Sequence, residues 1–206
     1  MLRIWGRISS INVQKVVWCA LELGCEFERI DAAGEFGVVD TPAYGRLNPN
    51  RKVPVIEDDG FVLWESNAIV RYLCAKYPER GLLGDSLTAR ADRDRWMDWQ
   101  ATEFSPVLRD AFWQLIRTPQ NARQAALIEQ SITRTEPMLA ILDEALADKD
   151  FLGGASFTMA DIPIGCTVHR WLGLPVERIR RANVDKWYER IMNRPAARQV
   201  LTLPLA

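Results

Sequence analysis

Apolar residues recur along the chain with two different periods. Near the start the period is two: Leu2-Arg3-Ile4-Trp5 alternates weakly and runs into Gly6, which predicts a first strand ending in a loop. Val13, Val16, Val17 and Ala20 then recur at i, i+3, i+4 and i+7, the stripe of a helix, and Gly24 is placed to cap its C-terminus. Residues 26–31 read as a second strand. The connection 32–48 carries Gly34, Gly37, Gly45 and Pro42, so it is expected to be an exposed irregular loop with a short helix. Val53-Pro54-Val55-Ile56 and Phe61-Val62-Leu63-Trp64 flank a turn at Asp58-Asp59-Gly60, a hairpin signal, and Glu65-Ser66 opens a further helix. In that helix Ile69, Tyr72 and Leu73 form the apolar face and Asn67, Arg71 and Lys76 the polar one.

After Tyr77-Pro78-Glu79-Arg80-Gly81 the period is helical throughout. A long helix is predicted over 88–117, bent at Pro106, because a mid-helix proline removes a backbone bond and crowds the preceding turn. Another runs over 122–147 with a kink at Pro137. Phe151-Leu152-Gly153-Gly154 reads as a turn, and Thr158-Met159-Ala160-Asp161 comes close to a capping box opening an apolar helix to Trp171. Asn183 is expected to cap a last helix over 184–193, ahead of Arg194-Pro195. The first half thus reads β-α-β, a parallel right-handed unit, completed by an antiparallel hairpin into a four-stranded mixed sheet. The second half reads as all helix. Two domains are expected, over 1–78 and 88–206, with 79–87 as linker.

Composition narrows the function classes. Lys plus Arg number 26 against 27 Asp plus Glu, a net charge of −1, so no broad basic field favours nucleic acid or an anionic membrane. No apolar run approaches the roughly 20 residues that span a bilayer. Met1-Leu2-Arg3 does not begin a signal peptide, and a cytoplasmic protein is the expectation. Cys19, Cys25, Cys74 and Cys166 are scattered without a C-x-x-C pair and read as buried reduced thiols; His169, the single histidine, cannot anchor a typical zinc site alone, so no metal is expected.

Three local features suggest a binding site. Pro54, which has no N–H, stands at a strand start, where a cis Val53-Pro54 bond would turn the Val53 N–H and C=O toward an extended ligand. Glu65-Ser66 puts a carboxylate and a hydroxyl at a helix N-terminus, a pair suited to a ligand with both an amine and a carboxylate. Ser9, Ser10 and Asn12 precede the first helix. One of them is expected to cap it, leaving another hydroxyl free to donate to a ligand.

The stretch from Asn48 to Leu73, NPxxxVPVIxDxGxxLxESNAIxRYL, resembles the glutathione-binding half of the cytosolic glutathione transferases, bacterial serine- or asparagine-type members related to the theta, phi and nu classes. The resemblance implies a thioredoxin-like α/β domain followed by an all-α domain, a homodimer, and glutathione as co-substrate with a small electrophile as its partner. Carried over by position, Val53 beside Pro54 would pair with the cysteinyl backbone of glutathione, Glu65 and Ser66 would hold its γ-glutamyl amine and carboxylate, and Lys52 would either reach the glycyl carboxylate or remain a solvated loop charge. Ser10 lies five residues before Lys15, the spacing of the activating hydroxyl in serine-type members. Asn12, whose amide also donates, competes for the role, and Ser9 follows. Arg109 and Trp113, at i and i+4, would line the electrophile pocket, or else be a surface charge and a core residue. Transfer of glutathione sulfur to electrophiles, halide displacement included, is the first functional reading. A non-catalytic protein-binding scaffold, or an isomerase or peroxidase on the same site, is the alternative. The physiological electrophile is not specified by these motifs.

Overall fold

The computed structural model describes residues 1–205. Strands β1 (Leu2–Trp5), β2 (Phe27–Ile30), β3 (Val55–Asp58) and β4 (Phe61–Trp64) form one sheet in the order β2-β1-β3-β4. β1 is parallel to β2, with Ile4 opposite Arg29, and antiparallel to β3, with Ile4 opposite Ile56. Between β1 and β2 runs helix α1 (Ile11–Leu23); α2 (Pro42–Leu47) leads into β3, and α3 (Ser66–Lys76) leaves β4. This is the thioredoxin-like arrangement. The β3–β4 turn places Asp59 (φ 49°) and Gly60 (φ 92°) in the left-handed region, as a two-residue turn that follows the strand twist requires. Gly24 (φ 69°) caps α1 through its N–H to the Ala20 and Leu21 carbonyls.

The expected strand over 53–56 begins two residues later, at Val55, because Pro54 has no N–H to give to the ladder. The Val53-Pro54 peptide is cis.

The helical half comprises α4 (Leu87–Trp99), α5 (Ser105–Phe112), α6 (Ala125–Ala145), α7 (Asp161–Leu172), α8 (Ala182–Met192) and α9 (Pro195–Leu201). The predicted bend at Pro106 takes the form of a widened π turn at Gln100–Phe104, since Pro106 cannot bond back to residue 102 and its ring displaces that carbonyl. A second widened turn at Trp113–Arg117 ends two residues before Pro119, the same spacing by which Pro106 follows the first. Asn183 does not cap α8. It lies within that helix, and the cap comes from α6: Asp143 Oδ1 accepts from the Asn183 and Val184 N–H groups at 2.9 and 3.1 Å. Beyond Arg194, where the pattern predicts no further element, Pro195 instead begins α9, occupying the first helical position where its missing N–H costs nothing.

Asp161 closes the capping box, accepting from the Thr158 N–H and hydroxyl and also from the Leu152 N–H and the Trp187 indole. His169 is structural in its contacts, 2.6 Å from the Tyr188 hydroxyl.

The expected polar face of α3 needs one correction. Asn67 is buried and donates to the Met97 carbonyl at 2.7 Å, because that side of α3 packs on α4 rather than facing water. Arg71 joins the same contact through Asp94 and Asp98. No helix among the described residues is long and apolar enough to cross a membrane.

Candidate active site

Where the sheet half and the helical half meet, two cavities of about 500 and 510 Å³ adjoin, a size that accommodates a tripeptide-like ligand and a small partner. Glu65, Ser66 and Lys15 border the inner one, Ser10 and Val53 the outer one, and Asn12, Lys52, Arg109 and Arg170 both.

The loop entering α1 depends on Gly6. At φ 144° it lies in a region other residues avoid, and a Cβ there would come within 2.4 Å of Val13 Cγ2 and 3.0 Å of Val53 Cβ. Ser10 stands at the N-cap position of α1 with extended backbone, yet its side chain does not cap, and neither does that of Ser9 or Asn12. The expectation of a capping side chain is therefore wrong here. The Ser10 hydroxyl has no hydrogen-bond partner among the described residues, and the first N–H groups of α1 stay open at the positive end of the helix dipole. Ser9 Oγ accepts from Arg7 Nη1 at 2.8 Å, and Ser9 borders neither cavity. Asn12 Oδ1 accepts from the Ser66 hydroxyl at 3.3 Å, tying the two helix N-termini together and leaving its own amide donor unused.

Val53 is presented by neighbours that the motif does not reveal. Tyr44 Oη and Asn48 Nδ2 donate to the Lys52 carbonyl at 2.9 and 2.8 Å, clamping the chain just before it. The Val53 N–H and C=O have no partner among the described residues. Opposite, Glu65 holds its backbone at φ 73°, a strained value for a residue with a Cβ, and this turns the chain into α3. Ser66 is buried at its first position. Lys52 is exposed and has no ion-pair partner among the described residues.

From the helical half, Arg109 and Trp113 both reach the outer cavity. Trp113 is 51% exposed, which removes the alternative that it is a core residue, and Arg109 lies exposed 3.5 Å from Asp110. By contrast, Trp171 is core, and Trp96 is buried at the α4 surface with no partner for its Nε1 among the described residues.

Lys15, Gln100 and Arg170 were not singled out by their pattern as site residues. Lys15 is buried on α1, its Nζ held by Gln100 Oε1 at 3.0 Å and Asn67 Oδ1 at 3.4 Å, with no carboxylate partner among the described residues. Gln100, in the π turn, donates in turn to Ser105 and Thr167. Burial pulls the Lys15 pKa down to about 8; the Arg170 charge adds to this, while Cys166 and Glu65 oppose it. A signal existed in the sequence, because Lys15 and Gln100 each sit among residues with helical core spacing. It is indistinguishable there from an ordinary polar position.

The cleft thus lies between a thioredoxin-like half and a helical wall, and brings a carboxylate, hydroxyls and an unpaired stretch of backbone together along it. Residues 1–75 match the family model for the glutathione S-transferase N-terminal domain and residues 125–190 that for the C-terminal domain. Over the whole of both chains, the protein is 36% identical to glutathione S-transferase GstB of Escherichia coli strain K12, and it is 30% identical to glutathione S-transferase F11 of Arabidopsis thaliana over 98% of each. A crystal structure of the theta class glutathione S-transferase of Xanthomonas axonopodis pv. citri with glutathione bound superposes with a TM-score of 0.96 at 44% identity, covering 100% of this chain and 99% of that one. The chain belongs to the glutathione S-transferase family.

The buried Lys15 ammonium makes a pH-dependent prediction. Its folded pKa of about 8 lies below the ordinary 10.5, so between those values the unfolded chain holds more protons and stability rises with pH. Urea unfolding of wild type and Lys15→Met across that window should show wild type gaining on the variant by up to roughly 3 kcal/mol. A difference that stays constant through the window contradicts the assignment.

Proposed function

We propose that the chain is a glutathione transferase in which the unit 1–78 binds glutathione and the unit 88–206, joined through 79–87, walls the side where an electrophile enters. The γ-glutamyl ammonium rests on Glu65. Its carboxylate takes the Ser66 hydroxyl and the first N–H groups of α3, the cysteinyl backbone pairs with Val53, and Lys52 meets the glycyl carboxylate. The sulfur then lies at the outer cavity, by Ser10 and the N-terminus of α1.

A free thiol with a pKa near 8.5 is only a few per cent ionised at neutral pH, so activation means stabilising the thiolate. The single observation that carries this reading is the Ser10 side chain: a cavity-lining hydroxyl at a helix N-terminus that forgoes capping and has no other partner among the described residues. A hydroxyl donor and an open helix end lower a thiol pKa without a general base. The Asn12 amide is the competing donor. The uncommitted hydroxyl and the unpaired Val53 backbone also favour an enzyme over a binding scaffold, which has no need of either.

By the family resemblance we further propose a homodimer acting in the cytoplasm in detoxification. Light scattering at micromolar concentration should give the mass of two chains; a single-chain mass throughout would overturn the dimer.

The activating donor is tested by the absorbance of the bound thiolate against pH in Ser9→Ala, Ser10→Ala and Asn12→Ala. Removing a charge-assisted hydrogen bond worth about 1.5–3 kcal/mol should raise the bound-thiol pKa in Ser10→Ala and slow turnover near neutral pH roughly ten- to a hundredfold. Binding should fall much less. A pKa that moves only in Asn12→Ala would transfer the role to the amide, and one that moves in none would refute activation by this loop.

A further inference from the structure

The Lys15 ammonium is buried where α1, α3 and the π turn after α4 meet, and two amide oxygens hold it, Gln100 Oε1 at 3.0 Å and Asn67 Oδ1 at 3.4 Å. Both amides are fixed by their other ends. Gln100 Nε2 donates to the Ser105 and Thr167 hydroxyls at 2.6 and 2.8 Å, and Asn67 Nδ2 donates to the Met97 carbonyl at 2.7 Å, so each oxygen is turned toward the lysine. Such a cradle holds a charge in place without neutralising it. For stability alone, a carboxylate at position 67 or 100 or an apolar residue at position 15 would serve better, because a buried charge without a counter-charge is costly. The charge is also present when the protein works near neutral pH, since burial brings the Lys15 pKa down only to about 8.

Its position relative to the cleft gives the charge a use. Asn67 is the second residue of α3, so the ammonium stands beside the first turn of that helix. Lys15, Glu65, Ser66 and Asn67 all border the inner cavity. Two charges of opposite sign therefore flank one helix end, the Glu65 carboxylate just ahead of it and the Lys15 ammonium beside it. They form no ion pair with each other. The head group of an α-amino acid carries the matching pair. Arg170, the other buried cation of the cleft, is drawn to the opposite side: its Cζ lies 3.7 Å from the centroid of the Phe112 ring, and Phe112 borders the outer cavity and not the inner one.

We infer that Lys15 is a positioning residue for glutathione: its ammonium, held without neutralisation beside the first turn of α3, supplies the positive field that seats the α-carboxylate of the γ-glutamyl group, as Glu65 supplies the negative one that seats its amine. The inference rests on the proposed placement of glutathione in the inner cavity. Ser66 and the α3 N–H groups make the contact and Lys15 acts across the helix turn, which is why it can be buried. The paired charges also discriminate. A head group without the amine would set its carboxylate near Glu65 uncompensated, and one without the carboxylate would leave Lys15 with no counter-charge, so both groups are required.

The test is calorimetric titration at pH 7 with S-methylglutathione, whose thiol is blocked, and with its analogue carrying 4-aminobutyryl in place of γ-glutamyl, which lacks only the α-carboxylate. In Lys15→Met the affinity for S-methylglutathione should fall roughly tenfold while that for the analogue holds within about twofold. Gln100→Glu leaves Lys15 in place but gives it a carboxylate, and should produce the same selective loss; it also decides the matter should Lys15→Met fail to fold. Lys15→Arg keeps the charge and should retain part of the affinity that Lys15→Met loses. If the analogue binds too weakly to titrate even with wild type, loss in Lys15→Met and Gln100→Glu with retention in Lys15→Arg supports the inference, and any other pattern overturns it. Equal losses for the two ligands, or an affinity for S-methylglutathione unmoved in Lys15→Met or in Gln100→Glu, would make Lys15 merely structural and overturn the inference. Failure of S-methylglutathione to bind the wild-type protein would instead overturn the proposed function, and this inference with it.

Discussion

Helix α1 has no free face, and the rest of the molecule follows from that. Nine of its thirteen residues are buried, Lys15 among them. Against α3 it sets Cys19 within 3.7 Å of Cys74, sulfur to sulfur. Against α7 it sets Trp18 so closely on Gly165 that a Cβ there would meet the indole at 2.8 Å. Near its end Glu22 takes a two-pronged contact from Arg194 at 2.8 and 2.7 Å, just before α9. Each fully buried aliphatic or aromatic side chain contributes on the order of 1.5–3 kcal/mol, so α1 cannot shift without loss on several sides at once. Its N-terminus is thereby fixed relative to both halves, and the cleft is the space left where the halves diverge around it.

The parts of this arrangement legible in the sequence are those specified locally. The β3–β4 hairpin announces itself through Asp59-Gly60, α1 through its apolar spacing and Gly24, and the ligand-facing stretch through Val53-Pro54 and Glu65-Ser66. What stayed hidden depends on partners distant in the chain. Asp143 caps a helix forty residues away, so Asn183 looked like its own cap. Gln100 owes its role to Lys15, eighty-five residues earlier, and Asn67 seemed a solvent-facing residue until α4 covered it. Sequence spacing brought Ser9, Ser10 and Asn12 together without distinguishing them; in the fold Ser10 and Asn12 border the outer cavity, while Ser9 borders neither cavity and accepts from Arg7. Pro195 illustrates the opposite error, a residue read as a stop that serves as a start.

Electrostatically the cleft is an unfinished structure. Lys15 and Arg170 are withdrawn from water without carboxylate partners among the described residues, at a cost in stability that a purely structural site would avoid by pairing or replacing them. The open N-terminus of α1 adds positive potential from the backbone. An anionic ligand completes the arrangement, and among the groups glutathione brings, the thiol is the one whose charge state the site can change.

Proton counting tests that claim most directly. Calorimetric titration of the wild-type protein near pH 7, with glutathione and with S-methylglutathione in buffers of different ionisation enthalpy, gives the protons exchanged on binding each. A thiol nearly neutral in solution and ionised in the cleft should make glutathione release more than about half a proton per chain beyond its methylated analogue. Equal proton counts for two ligands that both bind would contradict a site built to hold the thiolate.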